Sequence, residues 1–67
     1  MNVGDLLTTN FSWGWDELWD VKQGYIPRSL MNGDIVVVLE TEQKRVKVLT
    51  SRGNSGWITK GMLKVLE

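Results

Sequence analysis

Leu30-Met31-Asn32-Gly33-Asp34-Ile35-Val36-Val37-Val38-Leu39-Glu40 is the stretch whose reading decides the fold. From Asp34 to Glu40 it is rich in β-branched residues, which suit the pleated surface of a strand better than a helix. Its apolar run is continuous rather than alternating. That pattern predicts a strand covered on both faces, or one central to a curled sheet.

Working outward, the C-terminal side is punctuated at short intervals. Thr41-Glu42-Gln43-Lys44 is polar and short enough for a hairpin loop. Arg45-Val46-Lys47-Val48 alternates, sending Val46 and Val48 inward and Arg45 and Lys47 outward. Ser51-Arg52-Gly53-Asn54-Ser55-Gly56 is a turn cluster, with residues able to take positive φ. Trp57-Ile58-Thr59 is a further strand, Lys60-Gly61-Met62 suits a single 3₁₀-type turn, and Leu63 to Leu66 forms a last short strand.

The N-terminal side is less regular. Val3 to Thr9 reads as a first strand. Asn10 to Asn32 is a long segment that holds Trp13, Trp15 and Trp19 together with Phe11, Tyr25 and the single proline, Pro27. Trp15, Leu18 and Trp19 fall at helical spacing, which predicts one or two helical turns from Trp15 to Val21. Trp13 and Trp15 are also at strand spacing, so the period is ambiguous. Several short strands, few helix signals and close turns give an all-β small barrel or sandwich, in one domain spanning residues 1–67.

Composition narrows the chemistry. A chain of 67 residues buries only about 60% of the surface its unfolded form exposes. There is no Cys and no His, so disulfides, thiolate metal sites and the commonest general base are excluded. The fold must rest on apolar packing, to which four Trp contribute. Formal net charge is zero, which argues against a dedicated nucleic-acid binder. The sign is uneven along the chain. Residues 1–43 carry Asp5, Asp16, Glu17, Asp20, Asp34, Glu40 and Glu42 against Lys22 and Arg28, whereas residues 44–67 carry Lys44, Arg45, Lys47, Arg52, Lys60 and Lys64 against Glu67. The first residues hold no basic, apolar signal pattern, and no run nears the ~20 apolar residues of a membrane span. A soluble, cytoplasmic protein is the expectation.

The region from Leu30 onward resembles the SH3 superfamily of small β-barrels. Leu30 to Glu40 looks like the family's "L-x-x-G-D-x-(I/V)-x-V-L-E" segment. Gly56-Trp57-Ile58 with Leu63 looks like the "G-W-(V/I)-x-x-x-x-L" ending of bacterial SH3-like domains. Val3-Gly4-Asp5-Leu6 resembles the opening of small SH3-like proteins of tailed bacteriophages, which would place the protein in a host cytoplasm. The resemblance implies a five-stranded barrel in which Asn10 to Leu30 replaces the RT loop, with a 3₁₀ turn before the last strand. It does not extend to the family's peptide groove. The third strand, Arg45-Val46-Lys47-Val48, has no Trp, and Thr59-Lys60-Gly61-Met62 has no Pro or Tyr. The "L-N-V-R" start of the wall-binding bacterial branch is also missing.

Two surfaces are candidate sites. The first is the aromatic group Trp13, Trp15, Trp19 and Tyr25 with Asp16 and Glu17 among them. It either fills the core under a long loop or forms an exposed platform. A platform would take another protein chain or a second copy, a cationic ligand in an aromatic cage, or a stacked single-stranded nucleic acid. Asp16, Glu17 and Asp20 repel phosphate and favour the first two. The second surface is the basic hairpin of Lys44, Arg45 and Lys47, with Arg52 and Lys60 nearby, as an alternative contact to nucleic acid. Trp57 reads as a half-buried wall residue. Catalysis has only the carboxylates Asp16, Glu17 and Asp20 to draw on, with no partner base and no phosphate loop. The expectation is a non-catalytic protein-binding or accessory module without metal or cofactor.

Overall fold

A computed structural model describes residues 1–66. The chain runs through β1 (Leu6–Thr9), β2 (Trp15–Asp20), β3 (Gly24–Met31), β4 (Ile35–Thr41), β5 (Arg45–Thr50) and β6 (Ser55–Thr59). A 3₁₀ turn (Lys60–Met62) and β7 (Leu63–Val65) complete it. All strands belong to one antiparallel sheet in the order β3-β2-β6-β5-β4-β1-β7. The all-β expectation is met. The five-stranded barrel is not: the sheet has seven strands and remains open between its edges, β3 and β7.

The two additional strands come from the segment read as a long loop. Residues 15–20 form β2 rather than helical turns. Leu18 is fully buried while Trp15 and Trp19, on the other side of the strand, reach solvent. The helical spacing of Trp15, Leu18 and Trp19 was a coincidence of bulky residues that do not share a face. Gly24 takes φ 73 and closes the hairpin to β3, a conformation that costs glycine little.

Of the two readings of the apolar run of β4, the structure shows a central strand of a curled sheet and not one covered on both faces. Val36 and Val38 are buried, but Ile35 and Leu39 are exposed. β4 is central, flanked by β1 and β5, yet only its inner face is covered. The first strand starts at Leu6, since Gly4 (φ 91) and the bond from Asn2 N–H to the Asp5 carboxylate hold residues 2–5 in a turn.

Every strand sends side chains into one cluster. Leu7, Leu18, Leu30, Val36, Val38, Val46 and Val48 are almost entirely buried, with Phe11, Ile58 and Leu63 packed beside them. Both edge strands feed this cluster through Leu30 and Leu63, so the open sheet is curled around its core. Among the described residues, no helix is long and apolar enough to cross a membrane.

The β2–β3 hairpin carries an irregularity that the rest of the sheet stabilises. Between Asp16↔Leu30 and Leu18↔Ile26 the register shifts, with Pro27, Arg28 and Ser29 opposing Glu17 alone. Arg28 adopts φ 57, unusual for a residue with a side chain. The buried Ser29 hydroxyl bridges the gap: it accepts the Leu18 N–H (2.7 Å) and donates to the Ile26 carbonyl (2.6 Å). Arg52, from the β5–β6 turn, clamps the same bulge. Its guanidinium donates to the carbonyls of Arg28 (3.3 Å) and Ser29 (3.2 Å) and to the Asp34 carboxylate.

Candidate functional site

Alternation fixes which side chains face away from the core. Ile58 and Gly56 point inward on β6, so Trp57 points out. Leu18 points inward on β2, so Trp19 points out. The cross-strand register then lines up Tyr25 on β3 with Trp19 on β2, and Trp19 with Trp57 on β6. It continues from Trp57 to Lys47 on β5, and from Lys47 to Glu40 on β4. Directly opposed aromatic side chains on neighbouring strands stabilise a sheet face. Here they also form a surface: Tyr25 is 68% exposed, and Trp19 and Trp57 are half-buried.

The close approach of β2 and β6 has one local cause. A Cβ on Gly56 would lie 2.8 Å from the Trp19 carbonyl oxygen and 2.9 Å from the Leu18 Cβ. Only glycine fits at that position, so Gly56 is a packing requirement inside β6 and not the turn residue its neighbours suggested. Its bareness lets Trp57 sit opposite Trp19.

Around these rings lies an open groove of about 350 Å³. It is lined by Trp19, Tyr25 and Trp57 together with Asp16, Glu17, Arg45 and Met62. The Arg45 guanidinium carbon lies 4.7 Å from the centroid of Trp57 and 5.5 Å from that of Trp19. Both distances are within cation–π range. Arg45 Nε also donates to Glu42 Oε1. That hydrogen bond, opposed by some desolvation and aided by the charge of Glu42, holds the guanidinium above its ordinary pKa. Asp16 and Glu17 have no ion pair among the described residues; Asp16 Oδ1 accepts the Glu17 backbone N–H (2.7 Å).

The expected aromatic group is therefore divided. Trp19, Tyr25, Asp16 and Glu17 come together in the groove. Trp13 does not join them; it is 52% exposed and stacks on Phe11, with centroids 4.8 Å apart. Trp15 is exposed, pairs across to Met31, and has the Arg28 guanidinium 5.9 Å from its ring centroid. The choice between core and platform has a split answer, since Phe11 is core and the Trp residues are not. Sequence reading missed Trp57 and Arg45 as groove residues. The signal for Trp57 was present in the alternation Gly56-Trp57-Ile58, but its pairing with Trp19 is a long-range register that no local pattern encodes.

The basic hairpin does not form an array of free cations. Lys44 is exposed at the β4–β5 turn. Arg45 lies over the rings, Lys47 pairs with Glu40 (3.5 Å), and Arg52 is bound to β3 and Asp34. Each of these three already has an intramolecular partner. No protein-family model, no curated protein and no solved structure matches the chain.

Proposed function

We propose that this protein is a non-catalytic protein-binding module related to the SH3-like barrels, and that its partner docks on the Tyr25–Trp19–Trp57 groove. The observation that carries this reading is the unbroken row of three aromatic side chains across β3, β2 and β6 on the outward face of the sheet. Trp and Tyr are the residues that most often anchor interfaces, because they bury much area at low entropic cost. The carboxylates of Asp16 and Glu17, which line the groove and have no ion pair among the described residues, favour a basic segment. The zero formal net charge and the holding of Arg52 by the β3 carbonyls and Asp34 support this reading over a nucleic-acid contact, which needs an excess of free cations.

Selection from a random peptide display library tests it. Basic peptides should be enriched, and Tyr25→Ala or Trp57→Ala should weaken the best of them by about 30-fold or more, the loss expected of an interface hot spot. Trp13→Ala should leave affinity unchanged. Enrichment that depends on Trp13 and ignores Tyr25 and Trp57 would contradict the proposal.

A further inference from the structure

Resting on that reading of the groove, we infer that the position over Trp19 and Trp57 is a seat for a cationic side chain and that Arg45 is its internal occupant, which a partner's Arg or Lys displaces. The chain itself demonstrates the recognition: one guanidinium lies within cation–π range of two indoles. What holds Arg45 there is weak. Among the described residues its only ion pair is with Glu42, and both side chains are about half exposed, at 43% and 47%. Exposed pairs of this kind contribute little. Arg45 and Glu42 both border the short β4–β5 turn, closed by the Glu42 N–H to the Arg45 carbonyl (2.8 Å), so the side chain can swing off the rings without disturbing the ladder.

Two carboxylates complete the seat. Asp16 and Glu17 face the same groove without a cation of their own among the described residues. An incoming Arg or Lys would gain both the ring faces and these carboxylates, whereas Arg45 is already matched to Glu42. The exchange favours the newcomer and releases Arg45 to stay with Glu42. Binding strength is then set by competition: the apparent affinity is lowered by the fraction of time that Arg45 occupies the seat.

A synthetic peptide with two arginines in a Gly/Ser background, and the same peptide with glutamates, are titrated calorimetrically against the full chain. Arg45→Met, which keeps an apolar stem but no charge, should bind the arginine peptide about three- to tenfold more tightly than the unaltered protein. The glutamate peptide should bind neither protein. Circular dichroism confirms that each variant folds. Equal or weaker binding by Arg45→Met overturns the inference, as does absence of binding in both proteins. Loss of binding in Tyr25→Ala without a gain in Arg45→Met leaves the groove as the partner site and removes only the competition. Insensitivity to both substitutions removes the two together.

Discussion

At the scale of single residues, Gly56 and Ser29 set the geometry on which the surface depends. Gly56 admits β2 to within contact of β6, and a methyl group there would meet a backbone carbonyl that cannot step aside. Gly56→Ala should destabilise the fold by about 1–3 kcal/mol, seen as a melting temperature lower by roughly 4–8 °C per kcal/mol in a domain of this size. A variant as stable as the parent would mean that the strands are not so close. Ser29 answers a different need. Its hydroxyl is the partner of a buried Leu18 N–H that the bulge has removed from the ladder. Ser29→Ala leaves that donor unsatisfied and should cost about 1–3 kcal/mol in urea denaturation. The part-buried Thr8 hydroxyl instead donates to the Asp34 carbonyl, and its loss should be smaller.

At the scale of elements, the contrast between the two halves shows what a sequence displays and what it conceals. β5 is found at Arg45–Thr50, as its alternation predicts, and Val46 and Val48 are buried beside exposed or half-buried neighbours. The 3₁₀ turn at Lys60–Met62 stands where Lys60-Gly61-Met62 suggested one. β5 is legible because its strict inside–outside alternation matches its pairing with β4 and β6, its neighbours on either side. The β2–β3 hairpin is not legible in that way. Its residues are polar and aromatic in turn, its register is broken by a bulge, and part of its stability is supplied from far along the chain by Arg52. Arg52 read as a surface cation because nothing near it in sequence reveals the carbonyls it serves. Arg52→Met should cost about 1 kcal/mol, its hydrogen bonds being discounted for a side chain that is partly solvated. Hydrogen exchange should accelerate in β3 while β4 and β5 stay protected. Uniform acceleration across the sheet would instead assign Arg52 to global stability.

At the scale of the whole molecule, one curled sheet separates two tasks. Its inner face collects the aliphatic side chains of all seven strands into the core. Its outer face is left free for a row of aromatic residues, with Glu40 and Lys47 paired at the far end. The aromatic groove lies where β6 meets the hairpin, so the part of the chain least legible in sequence is the part that completes the surface. The most direct test of that assignment follows the four Trp indole N–H signals by NMR during titration with a selected basic peptide. The resonances of Trp19 and Trp57 should move together and saturate with the peptide, while those of Trp13 and Trp15 stay in place. Movement confined to Trp13 and Trp15 would contradict that assignment and place the binding surface at the other end of the hairpin.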